Sequence, residues 1–270
     1  MTFTLRRGDA GQQVRRLQIA LGCTVDGSFG PATEAALRSF QAAHGLTADG
    51  IAGPATLAAL GTAPLAGIDV SHWQRQVDWR QVAAQGIRFA FAKATQGVGG
   101  VDPCWRQNRA DAAAAGVPLG AYHFAVPQDH AAIDEADWCL RTVGQPSATE
   151  LPIALDLEAY ADGLSPAALC QWADTWLSRV HACTGRTPIL YTGTSFLQHQ
   201  LGGGHGLEHW PLWIARYRGA ADIDPGPVGA WSDWTIWQYA SSETRAGVDG
   251  HVDTDWLAGG EPALQRLLGT

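Results

Sequence analysis

The chain has 270 residues, 46% of them hydrophobic and 16% charged, with a net charge of −8 at pH 7. That length admits one or two domains and that composition supports a sizeable core, while the acidic balance argues against nucleic acid as a partner. No apolar run of about 18 residues occurs, so no membrane insertion is expected, and the opening Met1-Thr-Phe-Thr-Leu-Arg-Arg-Gly8 lacks the layout of a secretory leader.

The first sixty residues contain an internal repeat. Asp26-Gly-Ser-Phe-Gly-Pro-Ala-Thr-Glu-Ala-Ala-Leu37 matches Asp49-Gly-Ile-Ala-Gly-Pro-Ala-Thr-Leu-Ala-Ala-Leu60 at nine of twelve positions, offset by 23 residues. Each copy reads as an Asp-Gly turn followed by Pro31 or Pro54 opening a helix, where the missing N–H costs nothing. Asp9 with Gln12 has the form of a capping box ahead of Val14, Leu17 and Leu21 at helical spacing. The expectation is a small all-α three-helix domain over residues 1–61, with Leu17, Leu21, Phe29, Leu37, Phe40, Leu46 and Leu57 in its core. Residues 62–66, around Gly61-Thr-Ala-Pro64, read as a short linker that keeps the second unit close to the first.

From residue 67 to 270, strand and helix signals alternate. Strands are predicted at 67–71, 89–95, 119–125, 153–158, 189–192, 212–217, 235–239 and 251–256, and helices at 78–84, 104–115, 129–142 and 165–182. Ser165 as N-cap and Pro166 in the first turn mark the last helix. Eight strands mostly separated by helices give an α/β fold class, an irregular TIM-like (β/α) barrel, with the irregularity near the C-terminal end where helices thin out. A doubly wound open sheet is the alternative, but Gly97-Val-Gly-Gly100 has neither dinucleotide nor P-loop spacing.

The five cysteines, Cys23, Cys104, Cys139, Cys170 and Cys183, are scattered and odd in number. Cys170 and Cys183 share one predicted helix about 20 Å apart, so reduced thiols are expected rather than disulfides. His199, His205 and His209 flank a glycine run without an acid at metal spacing, so no metal site and no cofactor are expected. All twelve Trp come after residue 64, available either as core filler or as faces for sugar rings.

The most informative stretch is Pro152-Ile-Ala-Leu-Asp156-Leu-Glu158. On a strand its two acids share one face with α-carbons about 6.5–7 Å apart. Unpaired buried charge is costly, and two close acids split their pKa values so that one holds a proton near neutrality. Glycoside hydrolysis needs that division, whereas acids capping neighbouring loops are the plainer reading. In a barrel, chemistry sits where strands end. Predicted strand ends bring Asp69, Lys93, Tyr122, Asp156, Glu158, Trp213, Tyr217, Gln238 and Asp253 towards one acidic mouth, with Asp255 in a structural role and His72 and His123 orienting carboxylates.

These residues carry two resemblances. Leu5-Arg-Arg-Gly-Asp9, Val14-Arg-Arg-Leu-Gln18, Asp26-Gly-Ser-Phe-Gly30, Phe40-Gln41 and Leu46-Thr-Ala-Asp-Gly50 resemble the peptidoglycan-binding type 1 domain, which implies a wall-anchoring module. Gly67-Ile-Asp-Val-Ser-His-Trp73, Phe89-Ala-Phe-Ala-Lys-Ala-Thr95, Gly120-Ala-Tyr-His-Phe124, Leu155-Asp-Leu-Glu158, Leu212-Trp-Ile-Ala-Arg-Tyr217, Trp237-Gln-Tyr239 and Val252-Asp253 resemble glycoside hydrolase family 25, the Chalaropsis-type lysozymes. One departure is Gln96, where many members carry Glu; it bears on specificity rather than on activity.

This resemblance implies a muramidase that cleaves the β-1,4 bond from N-acetylmuramic acid to N-acetylglucosamine in bacterial peptidoglycan. In it Glu158 would be the proton donor, with Asp156, Asp69 and Asp253 as the other catalytic acids and Lys93, Tyr122, Trp213, Tyr217 and Gln238 binding substrate. Repulsion from the neighbouring acids would raise the Glu158 pKa, and Asp156 would orient the substrate's 2-acetamido group, whose attack on the anomeric carbon the family favours. Carboxyl separations of about 6 Å fall between the retaining and inverting ranges, so spacing leaves the stereochemical outcome open. A catalytically dead wall-binding protein and a chitinase-like hydrolase are the competing readings. The expected setting is that of a phage endolysin, a monomer made in the cytoplasm and reaching the wall through a holin; a bacterial enzyme exported by a non-classical route, or an antibacterial effector, would look similar.

Overall fold

In the computed structural model, residues 4–217 and 224–269 are described; the expected outer domain limits, residues 1 and 270, lie outside them. Three helices open the chain: α1 (Gln12–Leu21), α2 (Pro31–Ala43) and α3 (Pro54–Ala59). They enclose a core of Leu5, Val14, Leu17, Phe29, Leu37, Ala52 and Leu57. Leu21 packs partly against it, whereas Phe40 stacks at the surface on His44 and Leu46 is only half-buried, so neither expected member joins the core.

The repeat has a physical meaning that the turns alone do not reveal. Buried Gln18 and Gln41, also 23 residues apart, each staple their own Asp-Gly turn. Gln18 Nε2 donates to Asp26 and Thr33, and its Oε1 accepts from Gly27 N; Gln41 repeats this with Asp49, Thr56 and Gly50 N. Gly27 and Gly50 hold φ of 75° and 74°, which L side chains resist. The expected capping box does not form. Gly11 occupies the N-cap of α1, and the Asp9 carboxylate turns back to accept from Arg6 N.

The rest is a closed barrel. Its eight strands are β1 (Leu65–Val70), β2 (Phe89–Gln96), β4 (Leu119–Phe124), β5 (Ala154–Asp156), β6 (Ile189–Gly193), β7 (Leu212–Ala215), β8 (Ile236–Glu243) and β9 (Val252–Leu257). Pairing of β1 with both β2 and β9 closes the ring, and two-residue β3 (Gly100–Val101) folds back on β2. Helices α4 (Trp79–Ala84), α5 (Trp105–Ala115), α6 (Ala132–Val143), α7 (Pro166–Thr184) and α8 (Thr194–His199) succeed the earlier strands, and α9 (Gly260–Leu268) ends the chain. Ser165 caps α7 as expected, accepting from Ala168 N at 3.2 Å.

Alternation sorts the side chains. Ala90, Ala92, Leu155 and Leu157 face the covering helices, while Phe89, Phe91, Ala154, Tyr191 and Trp213 fill the interior. Interior space is tight: a Cβ on Gly67 or Gly120 would sit 2.3 Å from the ring of Phe89 or Phe91. Eight of the twelve Trp are buried, so most serve as filler. The irregularity lies in β9, which runs antiparallel to both β1 and β8. Asp253 therefore stands near the beginning of its strand, not at the end as expected, and the reversal brings it to the same rim as the ends of the parallel strands.

At the other rim, the base, Leu264 and Ala263 of α9 close the interior. The helical region docks beside it. Arg16 donates to Asp233 Oδ2 and Trp234 O, both at 2.6 Å, and lies 4.8 Å over the Trp234 ring. Those two residues lie just ahead of Thr235 and the start of β8, so the contact is on the base side.

Candidate active site

Asp156 ends β5 and Glu158 lies two residues beyond it, both directed inward by the alternation that sends Leu155 and Leu157 outward. Asp69 on β1 is the cross-strand partner of Asp253 on β9. These four acids share a mouth pocket of about 200 Å³ with Lys93, Tyr122, Trp213 and Gln238. Eight of the nine sequence-predicted residues thus converge; Tyr217, more than half exposed, stands at the edge and reaches inward through its hydroxyl.

A hydrogen-bonded chain ties the acids together. Gln238 Nε2 donates to Asp69 Oδ2 at 2.7 Å, and its Oε1 accepts from Tyr191 at 3.0 Å and Tyr217 at 2.9 Å. The Tyr191 hydroxyl is also 3.4 Å from Glu158 Oε2. Gln238 is 2% exposed with its amide engaged at both ends, so it positions the acids and phenols rather than presenting a free group. Trp213 is also buried, donating from Nε1 to Asp255 Oδ1 at 2.8 Å, which makes it a floor to the pocket.

Burial dominates the electrostatics. It lifts the Glu158 carboxyl above its ordinary range, opposed by the Tyr191 hydroxyl and by Lys93. Repulsion, expected as the cause at Glu158, acts instead on its neighbours: burial and then Glu158 raise Asp156, and the same two causes take Asp253 to about 6. Asp69 is pushed well up by burial and then by Asp255 and Asp253. Asp255, fully buried beneath the mouth, is also pushed well up by burial, opposed by its side-chain hydrogen bonds with Trp213 and Asp69. Burial thus biases the whole cluster towards keeping its protons, the direction that general acid catalysis requires.

His72 and His123 do orient carboxylates, but not those of the mouth. His72 Nδ1 pairs with Asp102 at 2.8 Å and His123 Nε2 with buried Glu135 at 2.7 Å. The pocket residues that escaped sequence reasoning include Tyr191, Phe124 and Trp73, the last 78% exposed at the rim. Tyr191 was legible in principle, since alternation from the predicted strand places it inward beside Asp156. A Trp directly after a strand end at an acidic mouth was the available signal for Trp73.

Comparison with known proteins agrees with this geometry. The profile described as glycosyl hydrolases family 25 matches residues 68–248, and that of a putative peptidoglycan binding domain matches residues 10–60. Lysozyme M1 of Streptomyces globisporus is 33% identical over 214 residues, covering 76% of this chain and 72% of the relative. The N,O-diacetylmuramidase of Chalaropsis sp is 33% identical over 69% of this chain and 95% of its own length. Among solved structures, a bacterial lysozyme from Streptomyces coelicolor superposes with a TM-score of 0.71 at 32% identity, covering 77% of this chain and 96% of the other.

Proposed function

The chain belongs to glycosyl hydrolases family 25, and from that membership and its acid mouth we propose that it is a muramidase. The bond cleaved is the β-1,4 linkage from N-acetylmuramic acid to N-acetylglucosamine in peptidoglycan. The bridge from Asp69 through Gln238 and Tyr191 to Glu158 carries the assignment, because it fixes the acid of β1 and the one beyond β5 across one small cavity. Glu158, raised by burial, gives its proton to the departing sugar oxygen. Asp156 orients the 2-acetamido group, and Asp253, taken to about 6, ionises to stabilise positive charge developing on the sugar ring, with Asp69 held beside it by Gln238. Trp73, exposed at the rim, and Tyr217 offer faces to neighbouring sugars.

The division of labour matches the fold. Residues 1–61 hold the enzyme at insoluble substrate, raising local concentration, while the barrel carries the chemistry; because β1 begins at Leu65, only 62–64 of the expected 62–66 linker join the two. We infer a monomer made in the cytoplasm and reaching the wall through a holin; co-expression with and without a holin should give host lysis only with it. Purified native chain should clear a cell-wall suspension and release muropeptides with muramic acid at the reducing end. Glu158→Gln should lower the rate by about 10²–10⁴-fold with an unchanged melting profile. Equal clearing by the two chains, or clearing of chitin oligomers alone, would overturn the assignment.

A further inference from the structure

Lys93 is the only lysine in the sequence, set against 17 arginines. It succeeds inward-facing Phe89 and Phe91 at two-residue steps on β2, which carries it up to the mouth, just before the register of β2 shifts. There it forms the wall between two cavities: the acid pocket and a neighbouring open one of about 300 Å³ that it shares with His72, Gln96, Val101 and Asp102. Its Nζ is 2.7 Å from the neutral Gln96 Oε1 and 4.4 Å from the Phe124 ring centre. Among the described residues it makes no ion pair; Asp156, Asp102 and Glu158 act on it only at longer range.

The second cavity differs from the first in what its charges are free to do. Asp102, its one acid, is fully committed: Oδ2 accepts from His72 N and Nδ1, and Oδ1 from Cys104 N. An ammonium has three donors, and one bond to Gln96 leaves capacity towards either cavity. Beside it, Val101 is 47% exposed on β3, which Trp138 Nε1 pins by donating to Gly100 O. The cavity therefore joins one incompletely used cation to a small apolar rim.

That combination answers a difficulty in the muramidase reading, on which this inference rests. The substrate of such an enzyme is itself anionic, because each muramyl sugar carries a carboxylate on its 3-O-lactyl arm, either the lactyl group's own or one in an attached peptide. Four clustered acids and a net charge of −8 would repel it. We propose that the cavity beside the mouth receives the carboxylate-bearing arm on the 3-oxygen of the muramyl sugar, with Lys93 as its anion partner and Val101 against its methyl groups. The site thereby selects muramyl over plain N-acetylglucosamine polymers.

Calorimetry on the Glu158→Gln chain tests this with three tetrasaccharide probes: alternating N-acetylglucosamine–N-acetylmuramic acid with free lactyl groups, the same glycan bearing stem peptides, and chitotetraose. Both muramyl probes should bind about tenfold more tightly than chitotetraose, the factor that one charge-assisted hydrogen bond supplies. Adding Lys93→Gln should remove that preference. Val101→Glu, which places a like charge on an exposed rim position, should weaken only the two acidic probes. A larger gain for the peptide-bearing glycan would identify a stem carboxylate as the partner, a smaller gain the free lactyl carboxylate, and equal gains a site that takes either. Equal binding of all three probes, or uniform weakening by either substitution, would overturn the inference. Wall clearing by the native chain, measured alongside, separates that failure from failure of the muramidase assignment.

Discussion

The two rims of the barrel treat charge in opposite ways. At the base, Arg109 meets Glu150 bidentately at 2.5 and 2.9 Å, Arg88 meets Glu261 at 2.8 Å, and Arg186 donates to the carbonyls of Ser147, Glu150 and Leu267. At the mouth, Asp69, Asp156, Glu158, Asp253 and the underlying Asp255 share a single nearby lysine and a few neutral donors. Pairing at the base depresses the Glu150 pKa even against its burial, whereas burial raises every acid of the mouth. The same side-chain type thus supports the fold at one end and works against it at the other, and the difference lies in whether an arginine is supplied.

Removing charge at either rim should separate activity from stability. The largest effect is expected for Asp156→Asn, a loss of about 10²–10³-fold in wall-clearing rate with no fall in melting temperature. Arg109→Ala should do the reverse. It strands Glu150 and should cost about 2 kcal/mol, read as a melting point lower by about 5 °C with specific activity of the folded fraction intact. Next is Asp255→Asn. A carboxyl whose folded pKa is raised contributes stability below its unfolded pKa, and that contribution is lost as pH rises. The wild-type chain should therefore lose stability as pH climbs from about 4, and the variant less so, melting higher by a few degrees at pH 7 but equally at pH 3. A higher-melting wild type at pH 7 would mean that Asp255 belongs with the paired acids of the base.

The smallest effect is expected for Arg16→Ala. Its contact with Asp233 joins the helical region to the barrel and should be worth about 1 kcal/mol. The barrel should melt unchanged, while proteolysis near residues 61–64 accelerates. Unaltered cleavage would show that the docking rests on other contacts, such as the bond from Gln12 N to Asp224 Oδ2 at 3.0 Å.

Much of this contrast was legible in the chain. The period-two pattern around Asp156 and Glu158 announced an inward acidic face, and alternating strands and helices announced the barrel. Other features depended on tertiary pairing. Nothing local marks β9 as reversed, because side-chain alternation reads the same in either direction; only its partners β1 and β8 reveal it. Gln238 looked like a ligand group because it ends a strand at the mouth, yet three protein partners claim its amide. The failed capping box at Asp9 is a similar case, since local spacing suited a cap but the turn at Arg6 captured the carboxylate first.

The reversed β9 has a practical consequence. It delivers the chain to α9 at the base, where Gly260 packs against the carbonyl of Gly61 just before β1 begins. Entry to and exit from the barrel are thereby gathered on the side away from the sugar cleft. A reporter fused behind α9, or a bead coupled there, would hang clear of the incoming glycan.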